Sequence, residues 1–239
     1  MTATTQQEST HGPSSGIQPA ATGSEPAAPG QEFLLEATGV VFERQLAPVF
    51  GCVNLQVSEN ETVLITGVNG AGKTTLLKLL AGILRPSEGK LKHVPLCFVG
   101  HNLGMKLDLT AAENLRFYAA MYDLPGRDWL GALKAFDAEY LADKQVGSMS
   151  AGQRRRVALS RLFLSQRQLW LLDEPYSNLD VEGCQQVDAA LAHHANNGGA
   201  IILAAHGRTP KGVPVLRELR LPQNAPRLNV YDEDEEEAA

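Results

Sequence analysis

Short apolar runs recur along the chain at Leu34–Leu35, Val63–Ile65, Leu96–Val99, Leu169–Leu172 and Ala200–Ala204, with stretches of helical spacing between them. Runs of this length and composition predict buried strands, and strands alternating with helices predict an α/β domain built on a largely parallel sheet. The middle of the chain breaks the alternation. From Asn102 to Gln166 no strand pattern appears, while Ala111–Tyr122, Trp129–Phe136 and Gln153–Leu164 space their apolar residues as helices do. A helical subdomain over about residues 102–166 is therefore expected inside the α/β core. The sequence shows no internal repeat.

Both ends depart from this pattern. Residues 1–31 are mostly Thr, Ser, Gln, Gly, Pro and Ala, with too few large apolar side chains to offset the entropy of ordering, which predicts a disordered arm. Residues 225–239 predict a solvated acidic tail, leaving a folded domain over 32–224. The net charge is −6, but six acids lie in Asp232–Glu237, so the remaining 21 acidic residues balance 21 basic ones. A neutral folded part has no global basic field, so no nucleic acid partner is expected. No apolar run approaches the roughly 18 residues of a membrane helix, and the strongest, Ala200–Ala205, has strand length. The N-terminus carries no basic segment followed by an apolar one, which predicts a cytoplasmic location. Cys52, Cys97 and Cys184 are widely spaced, without a C-x-x-C pair, and read as thiols in a reducing compartment.

The most specific chemistry lies at residues 67–74. Gly67-Val-Asn-Gly-Ala-Gly-Lys-Thr74 fits G-x-x-x-x-G-K-[ST] at every fixed position, between the strand-like Glu61–Thr66 and the helix-like Thr75–Leu84. Glycines let the backbone curl until several N–H groups point at phosphate oxygens, and side chains at Gly70 or Gly72 would obstruct that curl. Lys73 is then placed to reach the β- and γ-phosphates of ATP or GTP, and the Thr74 hydroxyl to ligate Mg²⁺ at the start of a helix whose dipole favours anions. The candidate nucleotide-binding residues here are Gly67, Val68, Asn69, Gly70, Ala71, Gly72, Lys73, Thr74 and Thr75.

Two further strand ends add acids and a histidine. Leu169-Trp-Leu-Leu-Asp-Glu-Pro175 closes an apolar strand on two carboxylates: Asp173 is placed to hold Mg²⁺ through its waters, and Glu174 to orient or deprotonate an attacking water. His206, after Ala200–Ala205, is a candidate hydrogen-bond partner of the γ-phosphate or of that water. Ser150 reads as the N-cap of a helix whose small Ala151 and Gly152 leave first-turn N–H groups open to an anion. Arg154, Arg155 and Arg156, taken alone, read as a solvated basic face.

In this order the motifs resemble those of an ABC-transporter ATPase: Walker A at 67–74, a signature at Met149–Gln153, Walker B running into Glu174, a D-loop at Ser177-Asn-Leu-Asp180 and a switch histidine at His206. The resemblance covers about residues 33–210. It implies a P-loop fold of the ABC type, ATP and Mg²⁺ as cofactors, catalytic roles for Lys73, Glu174 and His206, and Ser150, Gly152 and Gln153 acting on the nucleotide of a second copy. One set of motifs per chain then makes a two-fold homodimer the simplest assembly. Some positions depart from the general pattern. His101 stands where most relatives have a glutamine that contacts Mg²⁺, Met149 and Ala151 replace the commoner Leu and Gly, and Arg44, with Phe42 close by, falls where an aromatic usually stacks on adenine.

These departures are similar to those of the ATP-binding subunit of the cytochrome c biogenesis system, the haem exporter ATPase. The closer match runs through Leu35-Glu-Ala37, Phe98-Val-Gly-His101, Glu113-Asn-Leu-Arg-Phe-Tyr118 and Leu169–Tyr176 continuing to Leu179–Gly183. It implies an integral membrane transporter subunit as partner, docked around His101–Tyr122, a peripheral position on the cytoplasmic side of the inner membrane, and only an indirect encounter with haem. Two other readings stay open on the residues alone: the ATPase of another small-solute exporter, and a soluble ABC-type ATPase acting on nucleic acid or ribosomes.

Overall fold

The computed structural model describes residues 32–45 and 47–222, so the arm expected over 1–31 and the acidic tail expected over 225–239 lie outside the described residues. In chain order the elements are β1 (Leu35–Val41), β2 (Glu43–Arg44), β3 (Ala47–Pro48), β4 (Val53–Val57), β5 (Glu61–Thr66), α1 (Lys73–Leu80), β6 (Glu88–His93), β7 (Leu96–Val99), α2 (Ala111–Met121), α3 (Trp129–Lys134), α4 (Ala151–Ser165), β8 (Leu169–Asp173), α5 (Val181–Asn196), β9 (Ala200–Ala204) and β10 (Val215–Arg220).

Five strands form a sheet in the order β10-β5-β9-β8-β7, every neighbouring pair parallel. Parallel pairing sends the carboxyl ends of β5, β9 and β8 to one edge, and a ligand in such a sheet sits outside that edge. The loops that follow these three strands carry Gly67, His206 and Glu174, so residues more than a hundred positions apart arrive together.

The alternation of side chains explains why β8 and β9 are apolar throughout. Leu169 and Leu171 face one core with Ala200 and Ile202, while Trp170 and Leu172 face the other with Ile201 and Leu203. The first core lies against α1, whose Leu76, Leu77, Leu79 and Leu80 are buried. The second lies against α4 and α5 through Leu159, Leu162, Val187 and Leu191. Truncating one of these leucines to alanine should cost about 2–5 kcal/mol, because a packed interior does not collapse into the space left.

Between β7 and β8 the chain is helical. A third core joins Leu115 of α2, Leu133 of α3 and Val157 and Leu164 of α4. Since α4 also supplies Leu159 and Leu162 to the second core, it is the rod through which the helical part is fastened to the sheet.

A second sheet, antiparallel and ordered β4-β1-β6, was not among the expected strands beyond the start of β1. The sequence of β6, Glu88-Gly-Lys-Leu-Lys-His, is polar on both faces and five of its six residues are exposed, so it presents no apolar signal. Its register is set against β1, where pairing slips between Thr38 and Val41. Gly89 sits at that slip with φ +89°, and a Cβ there would fall 2.3 Å from the Gly39 carbonyl oxygen, so only glycine lets the two backbones meet.

Candidate functional site

The loop between β5 and α1 forms the floor of a cavity of about 670 Å³. Asn69, Gly70, Gly72, Lys73, Thr74 and Thr75 line it, with Asp173 and Glu174 from the end of β8 and Phe42, Arg44, Val49, Lys78 and Leu84 completing the walls. The volume suits a nucleotide. Gly72 has φ +93° and abuts Phe50 and Val49, where a Cβ would come within 3.0 Å of Phe50 Cδ1. Gly70 has φ +83° and no atom within 4 Å of where its Cβ would be, so a side chain there would project into open space above the loop. α1 begins at Gly72 with no side-chain cap and no acid in its first turn, which leaves its terminal N–H groups to an anion. The Lys73 ammonium donates to the carbonyls of Gly67 at 2.9 Å and Val68 at 3.1 Å, held on the loop's own backbone.

Gly67, Val68 and Ala71 do not line the cavity. Gly67 packs against Leu221, and Ala71 is buried. Gly67 and Ala71 shape the loop from behind and Val68 is exposed away from the cavity, while Asn69, Gly70 and Gly72–Thr75 present it.

At the end of β8, Asp173 is 1% exposed and its Oδ2 has no hydrogen-bond partner. Such a carboxylate oxygen is costly unless something meets it. Glu174 follows with φ 52°, a left-handed conformation uncommon outside glycine, in the position before Pro175. Two bonds hold it there: the Glu174 N–H donates to the Ala204 carbonyl at 2.8 Å, and the His206 N–H donates to Glu174 Oε2 at 3.3 Å. The His206 side chain is exposed and does not line the cavity.

Arg155 is where the solvated basic face expected from sequence fails. It is 2% exposed, with Nε and Nη1 buried and unpartnered. Burial pushes its pKa down, and the carboxylates of Asp173 and Glu174 pull it back up. The residue turns inward toward Asp173 and Glu174 at the end of β8, which three consecutive arginines do not disclose.

The signature residues form a separate place. Ser150 caps α4: its hydroxyl accepts from the Gln153 N–H at 3.2 Å, and Gln153 Oε1 accepts from the Ser150 N–H at 3.1 Å. Ser150, Gly152, Gln153 and Arg156 line a cavity of about 400 Å³ together with Asn178 and Asp180. Gly152 must be small, since a Cβ would stand 2.7 Å from the Asn178 carbonyl oxygen. The Arg156 guanidinium pairs with Asp180 at 2.7 Å and donates to Gln186 at 2.7 Å and to the Phe136 carbonyl at 3.0 Å. The Gly183 N–H, and after it Arg156, hold the Asp180 carboxyl below its usual range. No residue lines both cavities, so within one chain the signature and the phosphate loop face separate cavities.

His101 is exposed on the segment after β7 and lines neither cavity. Nearby, Lys106 stacks on Phe117 and Arg161 on Tyr118, whose hydroxyl donates to the Gly104 carbonyl. Phe117 and Met121 of α2 are exposed beside this segment.

Comparison with known proteins agrees with the geometry. Residues 50–177 match the ABC transporter family. The cytochrome c biogenesis ATP-binding export protein CcmA of Xanthomonas campestris pv. campestris (strain 8004) is 40% identical over 186 residues, covering 73% of this chain and 87% of its own. The protein of the same name from Escherichia coli (strain K12) is 38% identical over 203 residues, covering 80% and 97%.

The chain belongs to the CcmA family of ABC transporter ATPases.

Solved structures share the fold: a dimeric post-hydrolysis state of an ATP-binding cassette bound to ADP and Pi superposes with a TM-score of 0.70 at 20% identity, covering 78% of this chain and 96% of its own. A dimeric bacterial ABC transporter cassette gives 0.70 at 21% identity, covering 78% and 94%. This CcmA-family protein is an ATPase, and ATP is its nucleotide. Its cavity also contains Val49, Lys78 and Leu84, which sequence reading passed over. Lys78 had a signal, being one helical turn beyond Thr74 on the same face of α1.

Proposed function

We propose that this protein is the ATP-hydrolysing subunit of an export complex in c-type cytochrome biogenesis. It sits on the cytoplasmic side of the inner membrane under an integral membrane subunit, pairs with a second copy of itself, and couples hydrolysis to haem delivery, meeting haem only through the partner. Among the described residues no helix is long and apolar enough to cross a membrane, so in this reading the membrane subunit supplies the passage. The observation that supports the proposal is that the phosphate-loop residues and Ser150, Gly152 and Gln153 line two separate cavities, which in this reading are the two halves of one nucleotide site.

In this reading the triphosphate lies along Gly70–Thr74, with backbone N–H groups and Lys73 on its phosphates and Thr75 beside them. Phe42 and Arg44 take the base, by ring stacking or by cation–π contact. The Thr74 hydroxyl and the Asp173 carboxylate, whose Oδ2 has no hydrogen-bond partner, are hard oxygen donors in the same cavity, a set that fits Mg²⁺. Mg²⁺ bound there would neutralise charge on the β- and γ-phosphates. His101 lies outside this lining, so the metal falls to Thr74 and Asp173, and His101 goes with the docking segment. Glu174 accepts a proton from water as the water oxygen bonds to the γ-phosphorus and the bond to the β-phosphate oxygen breaks, leaving ADP and phosphate. His206 lies outside the lining but is joined through its N–H to Glu174 Oε2, and in this reading its side chain turns to the γ-phosphate on closure. From the second copy, Ser150 and the first-turn N–H groups around Gly152 cover the γ-phosphate, with Gln153 fixing Ser150 from behind. The exposed Phe117 and Met121 offer the membrane subunit an apolar seat.

Purification of the full-length chain from membranes, with identification of what accompanies it, tests the proposal. An integral membrane subunit of the cytochrome c biogenesis system should copurify and ATPase activity should depend on it. Copurification with an unrelated exporter subunit would replace the haem pathway, and retention in the soluble fraction despite coexpression would remove membrane docking.

A further inference from the structure

Two segments outside any helix or strand carry the hydrolytic groups: Glu174–Tyr176 after β8 and His206–Arg208 after β9. The strands are paired up to Asp173 and Ala204, and beyond that rung sheet pairing no longer holds them. The bonds from the Glu174 N–H to Ala204 and from the His206 N–H to Glu174 Oε2 make a first tie.

A second tie lies two residues further along each segment. Asp188 of α5 accepts from the Tyr176 hydroxyl through Oδ1 at 2.7 Å and from the Arg208 guanidinium through Oδ2 at 2.7 Å. The Lys211 N–H closes on Oδ1 at 3.3 Å, and Arg208 lies over the Tyr176 ring, 4.8 Å from its centroid. Asp188 is 7% exposed, a depth at which a carboxylate needs partners, and these three donors supply them. Burial and the bond to Asp188 push the Tyr176 hydroxyl up, and the same carboxylate pushes Arg208 up, so Tyr176 stays a donor and Arg208 a cation at physiological pH. The cluster is a fixed clamp. None of its members lines the nucleotide cavity, so they act on the reaction through other residues.

We propose that Asp188, with Tyr176 and Arg208 as its arms, is a positioning cluster that fixes the Glu174 and His206 segments relative to one another for ATP hydrolysis. This rests on the reading in which Glu174 takes the water's proton and His206 meets the γ-phosphate. Glu174 keeps its left-handed conformation only while its surroundings over-determine it, and the clamp grips the chain two residues later. Displacing a reacting group by about 1 Å costs on the order of 100-fold in rate.

The test is steady-state ATPase kinetics of the full chain in its membrane complex, comparing Arg208→Ala, Asp188→Asn and the double variant. Each single change should lower kcat about 10- to 100-fold and leave KM for ATP within about twofold, and the double should fall no further than the worse single. The Arg208 side chain is 32% exposed, so Arg208→Ala opens no deep cavity and carries the test if Asp188→Asn fails to fold. Unchanged kcat, KM rising in step with the loss, or losses that multiply in the double variant would overturn the proposal. Glu174→Gln separates the two levels: full turnover there would reject the catalytic reading itself, whereas an inactive Glu174→Gln beside a fully active Arg208→Ala would reject only the cluster.

Discussion

The phosphate-loop corner and the signature corner treat their polar groups in opposite ways. At the first, Asp173 Oδ2 is buried without a partner and α1 starts without a side-chain cap. At the second, Ser150 and Gln153 cap each other and Arg156 pairs with Asp180. One corner keeps groups without a hydrogen-bond partner, and the other pairs most of its own. A surface of the second kind gains little by meeting a nucleotide alone, but it presents a rigid helix end to one held elsewhere. In the proposed reading the two corners suit different moments, capture by the loop and closure by the signature of another copy.

The largest effect expected from disturbing either corner is on turnover. Glu174→Gln keeps the loop and its cavity but removes the proposed proton acceptor, so ATP binding should persist while hydrolysis drops at least about 100-fold, as read by nucleotide titration beside phosphate release. Lys73→Ala instead attacks capture. Losing one charge-assisted contact to phosphate should weaken ATP binding about 10- to 100-fold in the same titration. Unchanged affinity would break the contrast, since capture would then not reside in the loop.

Complementation sharpens the contrast further. A Ser150→Arg chain and a Lys73→Ala chain should each be inactive alone, yet random mixing makes half the dimers mixed, each with one intact composite site, and restores about a quarter of full turnover. Mixed dimers without recovered activity would place the signature on its own chain's nucleotide. The smallest effect separates capping from contact. Ser150→Ala and Asp128→Ala each remove an N-cap, at α4 and α3, and each should cost about 1 kcal/mol in denaturant unfolding, but only Ser150→Ala should also lower turnover, by about 10-fold.

Legibility in the sequence followed how locally each feature is encoded. β7 and β9 are readable to the residue because both are apolar without interruption, β9 buried throughout and β7 buried at alternate positions on the sheet edge. The loop at 67–74 was readable because its chemistry is written in consecutive residues. β4 carries a signal in the inward alternation of Val53, Leu55 and Val57, whereas β6 carries none because it is an exposed edge. The burial of Arg155 and the clamp on Asp188 were out of reach for another reason. Both depend on which face of a helix meets a strand or loop far away in sequence, and adjacent arginines or an isolated Asp188 leave that open. The positions of Ser150 and Lys73 in separate cavities likewise became visible only once the helical region was placed beside the sheet.

The most direct measurement is the mass of the Glu174→Gln protein in solution, by light scattering, without nucleotide and with saturating Mg-ATP. The account predicts a monomer that becomes a dimer holding one ATP per chain. A protein that remains monomeric with its loop fully occupied would contradict it.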